Sequence, residues 1–407
     1  MNKDSSHNSS IAGMNNRSRF LNVMAFKPVD EVPNYDVGVW PQTAELWKRA
    51  GMPDHAIDSV PHGAAVSKMA DECFNADFLF IDKDVPFFNL SHIEFTRIDT
   101  YIPSPAFEEK IYQEDEQTVV FRDPCGITHK ALKEGTCNNI RMSMDQYLDF
   151  PVKDRTDFLE MKRRYSPDDA RYPSNWNVQC AQWQSRTDPL CLLYIGEFGY
   201  YSLLRRWMGT EGASYVFYDD PALVEEMFEF MTDYIIRLLD RALRDATYDC
   251  FHIFEDMAFN SGPLVSPAMV RQFILPQYKR LVAHLHKYGI RNIMLDCDGN
   301  INSLIPLWIE AGITCLYPVE VKAGSDPVAI RKQYGRDIAM VGGMNKFILE
   351  KTDREMEYAI EKQLGYLLPL GGYIPTLDHL VPPHIPYAKF LHYLKVKTRC
   401  LKGQRSA

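Results

Sequence analysis

Asn292-Ile293-Met294-Leu295-Asp296-Cys297-Asp298-Gly299-Asn300 is an apolar run that stops abruptly in two acids, a thiol and a glycine. Read as a buried strand, its period-two alternation aims Asp296 and Asp298 the same way at the C-terminal end, with Cys297 facing the opposite side. Two carboxylates so close are costly unless they share a proton or hold a hard cation, which makes the stretch a candidate active-site edge. The same residues also suit a strand-to-helix turn whose side chains only cap the next helix. Similar strand ends elsewhere in the chain favour the first reading.

Working outward, apolar runs start at Val32, Ala76, Leu190, Tyr248, Arg291, Thr314, Ile338 and Gly372, and helical patterns separate most of them. This is about eight βα units, the number at which a parallel sheet closes, so the expected fold is α/β, a (β/α)8 TIM barrel. An open doubly wound sheet is the alternative, but no G-x-G-x-x-G follows any strand. The first two strands are expected at residues 32–37 and 76–82. Asp220-Pro221 and Ser266-Pro267 each predict a helix start, with a capping acceptor followed by a ring that suits the first helical position.

Residues 1–16, rich in Ser and Asn, are expected to be a disordered tail, and residues 17–407 a single barrel domain. Residues 87–188 break the βα rhythm and are expected as an insertion or lid between the second and third barrel strands. Within it, 87–130 alternates like antiparallel sheet with a turn at Pro124-Cys125-Gly126, and 147–188 is charged and proline-rich.

The 407 residues are 46% hydrophobic and 12% aromatic, enough to bury a large core. A formal net charge of -9 without clustered Lys and Arg excludes a nucleic-acid surface. Nine Cys without C-x-x-C spacing predict buried thiols in a reducing compartment rather than disulfides. No apolar run is long enough to span a membrane and the N-terminus has no signal-peptide core, so a cytoplasmic protein without membrane partners is expected. A homodimer is compatible with the chain.

In a barrel the chemistry sits where strands end. The residues there are Asp82 and Asp84, Glu197, Glu255 and Asp256, Asp296 and Asp298, Glu320, Asn345 and Lys346, then Asp378 and His379. Acids gathered in a dry pocket must be neutralised by protons, cations or a metal. Glu255, Asp296, Asp298 and His379 would give three oxygens and a nitrogen, suited to Zn2+ or Mn2+. The alternative for His379 is a capping or core histidine, and Cys297 is expected behind the site. Lys346, Arg205 and Arg206 are candidate partners for an anionic substrate. Trp40, Glu197, Phe198, Tyr200, Tyr201, Phe259 and Tyr317 are candidates to line a broad cavity for a planar ligand, although aromatics are more often core.

From Gly196 to Leu394 the chain resembles the uroporphyrinogen decarboxylase (URO-D) superfamily. The motifs are Gly196-Glu197-Phe198-Gly199, Phe217-Tyr218-Asp219-Asp220-Pro221, Glu255-Asp256-Met257 with Gly262-Pro263-Leu264-Val265-Ser266-Pro267, Leu295-Asp296-Cys297-Asp298-Gly299-Asn300, Val341-Gly342-Gly343-Met344 and Asp378-His379-Val381-Pro382-Pro383. The resemblance implies a tetrapyrrole or corrinoid (cobalamin) substrate, and a methyltransferase whose corrinoid sits on a partner protein. It departs from the thiol-alkylating members, which carry His-x-Cys-Gly where this chain has Asp296 to Gly299, so a thiol acceptor is not implied. The decarboxylases present arginines in the loop after the first strand, where this chain has Asn34 to Trp40 with Asp36. A substrate of many carboxylates would meet repulsion there. The decarboxylase role for Asp82 or Asp84, and a non-catalytic tetrapyrrole-binding protein, remain the alternatives.

Overall fold

The computed structural model describes residues 13–53, 56–59, 79–81, 90–133, 136–137, 140–141, 145–193 and 198–402. Seven parallel strands form one sheet: β1 (Glu94–Phe95), β2 (Leu190–Leu192), β3 (Cys250–Phe254), β4 (Asn292–Asp296), β5 (Cys315–Tyr317), β6 (Ala339–Met344) and β7 (Tyr373–Leu377), each beside the next in chain order. Helices Tyr200–Asp219, Pro221–Asp245, Leu275–Lys287, Ile305–Ala311, Pro327–Tyr334 and Asp353–Leu367 connect successive strands from β2 onward. The architecture is a TIM-barrel-like α/β fold.

Residues 32–40 run between the two edges of this sheet. Val39 pairs in parallel with Val381, Trp40 N–H donates to Val381 O at 3.3 Å, and Ser91 N–H donates to Asn34 O at 2.9 Å. The expected strand at 32–37 is nevertheless not a laddered strand. Pro33 has no N–H to offer, and the Asp36 carboxylate accepts the Leu377 N–H instead, at 3.2 Å.

The second expected strand is corrected outright. Leu79–Ile81 pairs antiparallel with Ile57–Ser59 in a separate ribbon, and Glu94–Phe95 takes the parallel place beside Leu190–Leu192. A short apolar run signals a strand but not its partner, and the two-residue strand carries no periodic signal at all. Glu94–Phe95, inside the span expected as insertion, is thus part of the barrel sheet.

Between β1 and β2 the chain builds a four-stranded antiparallel sheet of Lys110–Glu114, Thr118–Arg122, Thr128–Leu132 and Gln146–Asp149. Its turn is made by Gly126 at φ 90°, which lets Gly126 N–H reach Asp123 O at 3.0 Å and Asp123 N–H reach Ile127 O at 2.9 Å. Helices Arg155–Arg163 and Trp176–Trp183 follow and lie on the outside of helix Pro221–Asp245. Trp176 Nε1–H donates to Asp245 Oδ2 at 2.8 Å, and Phe158 meets Phe230 edge-on at 5.9 Å.

The tail boundary also moves. Helix Asn16–Met24 starts inside it, with Asn15 capping Ser18 N–H at 2.8 Å and Asn16 Nδ2 bound to Asp188 at 2.7 Å. Residues 1–12 lie outside the described set. Both Pro-marked starts form as expected: Asp220 accepts Leu223 N–H at 2.9 Å and Ser266 accepts Met269 N–H at 3.2 Å. Among the described residues no helix is long and apolar enough to cross a membrane.

Candidate active site

Strand β4 delivers the carboxylates. In parallel register His252 pairs with Met294 and Phe254 with Asp296, so the face of β3 carrying His252 and the face of β4 carrying Asp296 are the same face. His252 and Met294 both line a cavity inside the sheet, which sets this face towards the barrel axis. Asp296 is 5% exposed, with Oδ2 3.3 Å from His252 Nε2. Cys297 turns the other way, is buried, and bonds the Met257 backbone.

The glycine after Asp298 fixes the turn. At φ 86°, a Cβ on Gly299 would sit 2.8 Å from the backbone of Ala258 and Phe259, so only glycine lets the turn pack under the short hairpin Ala258–Phe259/Gly262–Pro263. Gly299 N–H donates to Glu320 Oε2 at 2.9 Å and Asn300 N–H to Phe259 O at 2.9 Å. The following helix, Ile305–Ala311, has no side-chain cap. Asp296 and Asp298 are therefore not capping residues.

Around Asp298 the environment is deep but open. Protein surrounds the carboxyl closely, yet 43% of its side-chain surface stays accessible, as at the floor of a cleft. Burial raises its pKa well above the usual carboxylate range, helped by Asp296, Glu320 and Asp256 and opposed by Lys346. Asp296 is raised in the same direction, by burial first and then Asp256. His379 faces this pair, its Nε2 3.8 Å from Asp298 Oδ2 and its ring centroid 5.8 Å from that of Trp40. Burial and the Lys346 charge lower its pKa to about 4, so its 3.8 Å approach is a contact of neutral imidazole, not an ion pair.

The four residues expected to hold a metal do not gather as a ligand set. Glu255 Oε1 accepts Tyr200 N–H at 2.7 Å and the Tyr278 hydroxyl at 2.8 Å, while Oε2 accepts Tyr201 N–H at 2.9 Å. It is fully committed to the N-terminus of helix Tyr200–Asp219. The lone pair of His379 Nδ1 accepts Leu380 N–H at 2.8 Å. A neutral ring then carries its proton on Nε2, the atom facing Asp298, and has no free lone pair for a cation. Among the described residues no group of three or more His, Cys, Asp or Glu side chains is arranged to hold a metal ion.

Several other expected site residues also lie elsewhere. Phe198, Tyr200 and Tyr201 are core; the Tyr200 hydroxyl meets Thr232 Oγ1 at 3.0 Å, so these rings do not line the mouth. Arg205 pairs with Asp256, and Arg206 stacks over Tyr101 at 3.4 Å. Trp40, Lys346 and Tyr317 are half-buried, Trp40 and Lys346 beside His379 and Tyr317 against His252. Phe259 is 61% exposed on the hairpin over Gly299. Asp82, Asp84 and Glu197 fall outside the described residues.

Strand parity would have separated Glu255 from Asp256, since in register with Asp296 it is Phe254, and then Asp256, that face the axis. Asp256 raises both Asp296 and Asp298, and His252 falls to the same parity rule. Asp378 serves as a tie: its carboxyl accepts Lys346 N–H at 2.8 Å and Val321 N–H at 2.9 Å, joining the loops after β5 and β6.

The fold and site thus define a TIM-barrel-like α/β protein with acids, a lysine and a neutral histidine at the C-terminal mouth of its sheet. Residues 201–398, just under half of the chain, match the family model of Uroporphyrinogen decarboxylase (URO-D). A methyltransferase from Methanosarcina mazei superposes with a TM-score of 0.60 at 14% identity, covering 97% of this chain and 100% of that one. A B12-independent methionine synthase from Shewanella sp. W3-18-1, in complex with selenomethionine, aligns at a TM-score of 0.36 and 11% identity over 73% of this chain and 75% of that one, too remote to carry an argument. No curated protein matches the sequence.

Proposed function

We propose that the protein is a methyltransferase of the URO-D superfamily that moves a methyl group between a corrinoid carrier on a partner protein and a small acceptor. The eight-stave barrel, with residues 32–40 as its first stave, is part of this reading. The observation that carries it is the pairing of Asp298, open to the mouth, with neutral His379 and Lys346. Moving a methyl cation equivalent onto an acceptor X–H forms the X–C bond, leaves the bonding electron pair on the carrier and frees one proton. Asp298, its pKa raised by burial and its face open, takes that proton as a stronger base than an ordinary carboxylate. His379 Nε2–H and Lys346 orient the acceptor beside it. The fold shared with the Methanosarcina methyltransferase supports the reading at the level of architecture. Because the donors do not suit Zn2+ or Mn2+, no step is assigned to a metal.

Decarboxylation is the second reading, and one observation favours it. Asp36 does not face the substrate: its Oδ2 is 2.7 Å from Lys397 Nζ and both side chains are fully buried, so the expected repulsion of a polycarboxylate there is removed. Incubation with methylcobalamin and candidate acceptors, followed by the corrinoid spectrum, tests the first reading. Product analysis with uroporphyrinogen tests the second. Tight corrinoid binding without transfer in either assay would instead point to a binding protein.

A further inference from the structure

His129 lies within the four-stranded insertion sheet, 7% exposed, with a carboxylate at each ring nitrogen. Its Nε2 is hydrogen-bonded to Asp123 Oδ2 at 3.0 Å. Its Nδ1 is 3.2 Å from Asp145 Oδ2, at ion-pair distance though not aligned as a hydrogen bond; attraction between full charges needs no such alignment. Both acids are nearly closed to solvent, their side chains 4% and 7% exposed. Phe121 stacks on the ring at 5.1 Å and Tyr147 meets it edge-on at 5.0 Å, so the contacts are poorly screened. A neutral imidazole has one N–H and one lone pair and cannot satisfy two carboxylates. Asp123 is fixed by the turn, its Oδ1 accepting Ile127 N–H at 2.8 Å, so the Nε2–H stays with it. Loss of the other proton leaves the Nδ1 lone pair facing the Asp145 carboxylate.

We infer that His129 is an imidazolium in the folded protein and that Asp123, His129 and Asp145 form a proton-operated clasp on the last insertion strand, Gln146–Asp149. Asp145 directly precedes that strand, which is an exposed edge of its sheet and meets its neighbour at three residues, with a register shift beside His129. A charge contact at its start therefore weighs heavily in its attachment. Beyond the strand, Phe150 occupies the space where a Cβ on Gly209 would stand, at the kink of helix Tyr200–Asp219, and Val152 N–H donates to Trp207 O at 2.8 Å. That helix carries Arg205, the partner of Asp256, so the clasp governs how firmly the insertion is held beside the mouth, whatever the reaction there. From the sheet, Tyr147 presents a phenol that burial keeps neutral, and from the helix Arg205 and Arg206 act on Tyr147 with charges that do not titrate. Lys130 and Arg122, one place off in the paired rows, point to the other face. Burial works against the charged ring, but Asp123 and Asp145 outweigh it, and its pKa lies above the ordinary 6.5. The clasp is thus fully closed below that ordinary value and opens as pH rises through the folded one.

Two measurements on the full-length protein test the clasp. In nitrogen NMR of 15N-histidine-labelled protein, the His129 signals are assigned by their loss in His129→Gln or, should that variant fold poorly, in His129→Asn. They should show both ring nitrogens protonated at about pH 6 and a titration midpoint above 6.5. Hydrogen exchange, corrected for the intrinsic rate at each pH, should show the amides of Gln146–Asp149 losing protection through that midpoint while those of helix Leu275–Lys287 keep theirs. Asp145→Asn, whose amide can donate to a neutral Nδ1, should lower the midpoint and leave the strand equally protected on both sides of it. A neutral ring at about pH 6, a midpoint indifferent to Asp145→Asn, or strand protection that ignores the titration would each overturn the clasp.

Discussion

Lys397 Nζ lies 2.7 Å from Asp36 Oδ2 with both side chains fully buried, so the C-terminal helix Tyr387–Lys402 is pinned to the segment that bridges the two edges of the sheet. Lys397 also donates to Tyr35 O at 2.6 Å. Two residues 361 positions apart thereby hold the first and last parts of the barrel together. Removing one partner strands a buried charge, so Lys397→Met is expected to lower the unfolding free energy by about 3–5 kcal/mol. Lys397→Met combined with Asp36→Leu should be less damaging than either change alone. Urea denaturation of the three variants decides it; a single variant as stable as the parent would show that the pair holds nothing.

Asp298 gives a pH prediction for activity. Its raised pKa places the base form at the alkaline side, so turnover should rise with pH through a limb above the usual carboxylate range. Asp298→Asn should abolish that limb and reduce kcat by about 100- to 10,000-fold with a smaller effect on KM. A pH profile of kcat that keeps the limb in the variant would assign the base elsewhere.

Glu255 gives a pH prediction for stability. Its folded pKa is raised to about 7 from its ordinary 4.5, burial outweighing the hydrogen bonds from Tyr278, Tyr200, Tyr201 and Ser202. The folded state then binds more protons than the unfolded chain between those values, so this stabilising contribution is full below the unfolded pKa. It is lost as pH rises through the folded one. Glu255 should therefore lower stability by about 3 kcal/mol across that window, and Glu255→Gln should flatten the slope. An unchanged slope in the variant rules Glu255 out as its source.

Metal removal should do nothing. With Glu255 bonded to the helix N-terminus and the His379 Nδ1 lone pair taken by Leu380, exhaustive chelation is expected to leave the melting temperature where it was, and added zinc should not raise it. A clear drop on chelation, with zinc recovered in elemental analysis of the dialysed protein, would restore the ligand set.

Gly299→Ala tests the turn beneath the hairpin. Its φ of 86° and the 2.8 Å approach to the Ala258 and Phe259 backbone predict a loss of about 1–3 kcal/mol, because neither the strain nor the clash can relax through a flexible side chain. Thermal unfolding measures it, and a variant as stable as the parent would show that the hairpin yields freely.

Local patterns were legible because they depend on neighbours in sequence. Alternation in Asn292–Asp296 placed Asp296 on one face and Cys297 on the other, and the Asp220-Pro221 and Ser266-Pro267 pairs marked helix starts whose caps form. The parallel α/β architecture followed from the repeated strand–helix order. What the residues alone could not give was partnership. Nothing in Glu94-Phe95 marks it as a barrel strand, since its place is set by backbone pairing with Leu190 and Cys191 nearly a hundred positions away. Asp36 looked like a charge aimed at substrate until the chain's last helix supplied Lys397, and Glu255 looked like a ligand until three donors from two other helices claimed it. A carboxylate announces that it must be neutralised, but only the folded chain decides by what, because the neutralising group is brought from a distance by the packing of the whole barrel.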